Sequence, residues 1–137
     1  MTWERLERLE RFDSAGAPVL SLYMDLDPAL QPTWLYRAEF KDLVDELSGA
    51  LTEPERDALA SEVERVNEFF DWLPDRPGQG LALFSCGPRN FWLAEVVAAP
   101  IGNHLTFDVR PDIAALLKLI DEYEAAAGEL KDESPTH

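Results

Sequence analysis

Two carboxylates close an apolar run near the start of this chain. In Pro18-Val-Leu-Ser-Leu-Tyr-Met-Asp-Leu-Asp-Pro28 the strand formers Val19, Leu20, Leu22, Tyr23, Met24 and Leu26 lead to Asp25 and Asp27. Pro28 then ends the ladder, because it has no N–H to donate. An Asp-x-Asp at a strand exit is what a magnesium-dependent phosphatase uses to hold the ion and attack phosphorus. That chemistry also needs a lysine on a βα turn and a second acidic pair after a later parallel strand. The later apolar segments follow one another too closely for parallel crossovers. Solvated strand-end aspartates, with Asp27-Pro28 forming a turn, are therefore the expectation, and a phosphatase built on Asp25 and Asp27 is the alternative.

The remaining reactive residues are few. Gly78-Gln-Gly80 precedes a strand instead of leading into a helix N-terminus, so it is expected to be a turn and not a phosphate cradle. His104 is the one internal histidine, His137 ends the sequence, and the single cysteine, Cys86, lies in the apolar run Leu81-Ala-Leu-Phe-Ser-Cys86. A buried thiol with no second cysteine is expected, and a Cys–His dyad has little material. Trp34, Tyr36, Arg37 and Lys41 gather at the start of a helix. An exposed Trp34 beside two cations could stack on a base or anchor a protein partner. The expectation from the residues themselves is that Trp34 packs a strand–helix corner while Lys41 pairs with Asp45.

Twenty-seven acidic and twelve basic residues among 137 leave a net charge of −15, which opposes unassisted adhesion to nucleic acid or an anionic membrane. The cations are scattered and form no basic run. An apolar fraction of 46% is that of a folded domain, and the length suits one core. The first residues alternate charge with apolar side chains, unlike a signal peptide, and no apolar stretch reaches the ~20 residues of a membrane span. A cytoplasmic protein without cofactor, membrane partner or DNA partner is expected.

Periodicity orders the elements. Trp3, Leu6, Leu9 and Phe12 predict a short amphipathic helix with Thr2 as cap, stopped by Asp13-Ser-Ala-Gly16. After the first strand, Thr33 caps a helix carrying Tyr36, Phe40, Val44, Leu47 and Leu51. Thr52-Glu-Pro-Glu55 starts another, carrying Leu59, Val63, Val66, Phe70 and Leu73. Three strands follow, at Leu81–Cys86, Phe91–Ala98 and Leu105–Val109, joined by short turns. A terminal helix bears Ile113, Leu116, Leu117 and Ile120. The expected fold is α+β: a four-stranded mixed sheet with a helical hairpin between strands 1 and 2, strands 2–4 an antiparallel meander, and a closing helix. Residues 1–127 form the domain, and 128–137 read as a flexible tail or a cut interdomain linker.

In order and spacing, three blocks resemble the N-terminal domain of the archaeo-eukaryotic class-1 release factor superfamily, in its bacterial members. They are Pro18–Pro28 as first strand, Gly80-Leu-Ala-Leu-Phe-Ser-Cys86 as second, and Val109-Arg-Pro-Asp-Ile-Ala-Ala-Leu-Leu-Lys-Leu-Ile120 as the closing strand-to-helix passage. The resemblance implies a recognition domain that acts on ribosomes in termination, rescue or hibernation, with peptidyl-tRNA hydrolysis supplied by a separate middle domain. It implies ribosome contacts through Trp34, Tyr36, Arg37 and Lys41, and through Phe107 and Arg110. Where codon-reading members carry Asn-Ile-Lys-Ser, this chain has Trp34-Leu-Tyr-Arg37. At their Tyr-x-Cys-x-x-x-Phe site it has Phe107-Asp-Val-Arg-Pro-Asp-Ile113, so stop-codon reading in the family's manner is not carried over. An acidic protein-interaction module without RNA is the reading from a different class.

Overall fold

A computed structural model describes residues 3–26, 35–73, 80–97, 101–114 and 116–118, with only the backbone of Trp3, Leu35 and Tyr36. Thr2, Asp27, Thr33, Trp34, Gly78 and Ile120 lie outside the described residues. The elements are α1 (Trp3–Glu10), β1 (Val19–Asp25), α2 (Leu35–Ser48), α3 (Glu53–Trp72), β2 (Gly80–Cys86), β3 (Phe91–Val97) and β4 (His104–Asp108). A 3-10 turn, Gly87–Arg89, joins β2 to β3. A further helix begins after Ile113, whose carbonyl accepts the amide of Leu117 at 3.0 Å.

Local chemistry sets the boundaries. Asp13 Oδ1 accepts the Ala15 amide at 2.8 Å, and Ala15 and Gly16 take positive φ, which ends α1 as the sequence predicts. At α3 the Thr52 hydroxyl accepts the Glu55 amide and the Glu55 carboxylate accepts the Thr52 amide, a reciprocal capping box with Pro54 in the first turn. The Thr52 bonds, backbone first, hold the Glu55 carboxyl below the usual glutamate range.

β1 is buried on both faces, which is why its sequence is nearly continuous in apolar residues. Leu20, Leu22, Met24 and Leu26 point to one side, where Leu81, Leu83 and Leu105 of the sheet meet Phe40 of α2 and Leu59, Val66 and Phe70 of α3. Val19 and Tyr23 point to the other, among Ala82, Phe84, Cys86, Phe91 and Leu93, under Leu9 of α1 and Leu116. The molecule is thus a sheet between two helical layers.

The strand order is β3-β2-β1-β4, and every pair is antiparallel. Two expectations are corrected here. The sheet is not mixed, because the two helices between β1 and β2 run out and back. They deliver the chain to the end where β1 stopped, so Gly80 lies opposite Asp25. A single helix would have given a parallel strand. Nor are strands 2–4 a meander: β2 and β3 form the expected hairpin, but β4 pairs with β1, Leu22 opposite Leu105. The six residues 98–103 reach ~20 Å when extended, enough to cross the ends of β2 and β1, which span ~14 Å at strand spacing.

Polar side chains of β1 fasten the second layer. The buried Ser21 hydroxyl accepts the Asp112 amide at 2.9 Å, and the Tyr23 hydroxyl donates to the Asp112 carbonyl. Ser14 donates to the Val109 carbonyl at 2.8 Å. Burial, and then the nearby Asp112 charge, raise the Tyr23 phenol above its ordinary value of 10.0. Because the folded state holds this proton more tightly than the unfolded chain, the stabilisation is fully present below pH ~10 and is lost as pH rises from there toward the raised folded value. Unfolding free energies measured from pH 8 to 11.5 should fall more steeply for the wild type than for Tyr23→Phe. At neutral pH that variant should lose about 1 kcal/mol with its hydrogen bond. Parallel curves would show that Tyr23 does not titrate in this way.

Candidate functional site

Asp25 ends β1 as a structural post. Its Oδ1 accepts the amides of Ile101 and Gly102, both at 2.8 Å, while its own amide donates to Asn103 Oδ1 at 2.9 Å. The carboxylate that invited a phosphatase reading thereby holds the turn that leads into β4. Among the described residues no group of three or more His, Cys, Asp or Glu is placed to hold a metal ion.

The helical hairpin's open end carries the first cluster named from the sequence. Arg37 Nη2 donates to Asp71 Oδ1 at 2.7 Å, and its guanidinium lies over the Phe70 ring. Phe70 in turn meets Phe40 edge-on, so α2 and α3 are tied by an aromatic contact and an ion pair. Lys41 pairs with Asp45 at 3.8 Å, as their spacing predicts. Trp34 lies outside the described residues, and so does the Tyr36 side chain.

Phe107 and Arg110 lie elsewhere and apart from each other. Phe107 is half-buried against the α2–α3 layer, and with Pro18, Ser61, Glu62 and Arg65 it lines a pocket of about 260 Å³. Arg37 engages α3 ten residues further along, ~15 Å at helical rise. Arg110 is exposed on the other side of the sheet, on a cleft of about 660 Å³ between the end of α1 and residues 109–113. The cleft is floored by Leu9, Phe12 and Ile113 and carries Glu10, Asp13 and Ser14. The four candidates whose side chains are described, Arg37, Lys41, Phe107 and Arg110, therefore form no single site.

Two residues escaped the sequence reading. Trp72 is 86% exposed at the end of α3, next to Asp71. Its signal was its place off the stripe that carries Phe70 and Leu73. Glu62 is buried, and its carboxylate accepts the Gly87 amide at 3.0 and 3.1 Å, the Ser85 hydroxyl at 3.3 Å and Arg65 Nη1 at 3.3 Å. It stands three residues after Leu59 and four before Val66, an acid on the core-facing stripe. Arg65 also lies over the Trp92 ring, whose far neighbour is Phe69. A Cβ at Gly87 would lie 3.0 Å from Glu62 Oε1 and 3.3 Å from Arg65 Nη1, so a larger residue there would push this pair aside by a few tenths of an ångström.

Nucleophilic chemistry finds little support among the described side chains. Cys86 is buried; burial pushes its thiol up, and the Glu62 charge adds to this against the pull of its backbone bond at Arg89 and of Arg89 and Arg65. His104 pairs with Asp112 at 3.3 Å and lies opposite Tyr23, whereas Cys86 borders the Val19 end of β1. Four strand residues, ~13 Å, separate those positions, so no Cys–His dyad forms. No protein-family model matches the chain, and no curated protein is similar to it in sequence.

Glu62→Ala removes a buried acceptor of four hydrogen bonds and should cost about 2–4 kcal/mol. Urea unfolding checks the value, and a loss under 1 kcal/mol would show that the network is dispensable. Asp25→Ala should speed amide exchange at Ile101 and Gly102 selectively, leaving β2 and β3 protected. Uniform acceleration throughout the sheet would contradict a local role.

Proposed function

We propose that this chain is a non-catalytic recognition domain of a release-factor-like protein acting on ribosomes. The observation that supports it most is the element order. A first strand, a seated helical hairpin, a second strand and a strand-to-helix passage follow one another as the resembling sequence blocks do. The described chemistry agrees with binding and not turnover, since Asp25, Glu62 and Tyr23 are committed to holding the fold together. The contact surface in this reading includes the hairpin's open end, with Arg37 and Lys41. Sucrose-gradient sedimentation of the chain with ribosomes should show pelleting at low salt that is lost at high salt. No pelleting at low salt, with ribosomes from growing or stressed cells, would sink the proposal.

Trp72 favours a second reading. The exposed indole shares its helix end with Glu68 and with Asp71, whose carboxylate pairs with Arg37 of α2, and α3 carries no basic residue of its own in its last turn. Such an acid-flanked aromatic suits a basic protein surface. In that case association with a basic ribosomal protein survives nuclease treatment and weakens about tenfold on Trp72→Ala. Retention of full affinity would exclude Trp72 as the anchor.

A further inference from the structure

Ten lysines and arginines lie among the described residues, and four of them form ion pairs: Arg5 with Glu95, Arg37 with Asp71, Lys41 with Asp45 and Arg65 with Glu62. In a chain of net charge −15 this pairing is expected. The other six have no acidic partner among the described residues, and four of those six come to one end of the sheet.

At that end β3 begins with Phe91, β2 finishes at Cys86, β1 begins with Val19 and β4 finishes at Asp108. Arg89 is in the turn entering β3, and Arg110 follows β4, so they flank an edge ~14 Å across. Between them Arg8 of α1 places its guanidinium 5.2 Å from the Phe91 centroid, and Arg11 follows three residues later. Phe12 stacks on Phe91 with ring centroids 4.2 Å apart and also lines the cleft that Arg110 borders. Arg8, Phe91, Phe12 and the cleft thus form one continuous path to Arg110. Glu7, Glu10, Asp13 and Asp108 stand along it. Asp13 and Asp108 accept the backbone amides of Ala15 and Val109 and stay exposed. The arginines remain exposed.

We infer that this end of the sheet binds a single-stranded RNA segment, with Arg8, Arg11, Arg89 and Arg110 on its phosphates and the Phe12 edge of the cleft against a base. Guanidinium groups with no carboxylate partner among the described residues suit phosphate oxygens, and a partly exposed ring beside them suits any base face. The inference rests on the ribosome reading for the partner's identity but uses a different surface from the hairpin's open end. It adds residues that the sequence did not bring together.

The test is fluorescence anisotropy of a labelled single-stranded RNA 12-mer of mixed sequence. The whole chain is titrated as wild type, as Arg8→Gln/Arg89→Gln/Arg110→Gln, and as Arg56→Gln. The triple variant should bind at least tenfold more weakly at low salt. Its slope of log affinity against log salt should fall by ~2, at ~0.7 for each phosphate that is no longer neutralised. Arg56→Gln, which removes an exposed cation outside both proposed surfaces, should bind like the wild type. Unchanged thermal midpoints show that the exposed substitutions leave the fold intact. No RNA binding by the wild type, or equal binding by the triple variant, overturns the inference. So does competition by polyglutamate as effective as unlabelled RNA at equal charge. If the triple variant still pellets with ribosomes as the wild type does, this surface fails while the ribosome reading stands. If RNA binding is lost in the triple variant but the wild type does not pellet, the ribosome reading fails and the RNA surface stands.

Discussion

The enclosure of β1 is the constraint on which the rest of the structure depends. β1 has a hydrogen-bonded strand on each edge and a helical layer on each face, so none of its backbone polar groups can rely on water. Each feature around it answers that requirement. β2 and β4 take its two edges, the α2–α3 hairpin covers Leu20, Leu22 and Met24, and α1 with the terminal helix covers Val19 and Tyr23. Where β1 carries polar side chains, Ser21 and Tyr23, they are engaged by the backbone of Asp112, the residue at which the chain turns back over the sheet. A strand so confined has one register, since a slip by one residue would bring Ser21 and Tyr23 under α2 and α3.

The acidic residues divide between fastening and solvation. Asp25 holds the turn before β4, and Glu62 binds α3 to the end of β2 through Ser85 and Gly87. In both cases a carboxylate serves backbone amides at a point where the chain changes direction and has no ladder partner for them. Most of the other described carboxylates lie on exposed helix faces, and the chain's acidic excess leaves its field strongly negative. Against that background the arginines with no acidic partner among the described residues stand out, because pairing is the default for a cation surrounded by acids.

Much of the fold was legible. The apolar stripe through Leu59, Val66 and Phe70, the Thr52–Glu55 capping box and the Asp13–Gly16 stop are all set by neighbours within a few residues, so the one-dimensional pattern contains them. Glu62 was legible in principle, as an acid on the core stripe of α3, but its partners Ser85 and Gly87 are more than twenty residues away. The functional surface was less legible. Arg8, Arg89 and Arg110 sit in three separate segments with no shared motif, and only the register of four strands brings them to one end. Trp72 was hidden for a simpler reason: helical periodicity identifies the buried face and says little about which exposed residue matters.

By itself, the sequence determined the order and kind of the described elements, the start of α3 at Thr52 and the burial of β1, because these follow from hydrophobic period and short-range hydrogen bonds. The tertiary structure alone decided the partner of β4. An apolar strand such as Leu105-Thr-Phe107 can satisfy its amides beside either β3 or β1, and its side-chain pattern is the same in both places. What settles the choice is the open edge of β1, which must be paired once both its faces are covered, and the Asp25 carboxylate waiting at the turn to guide the chain there.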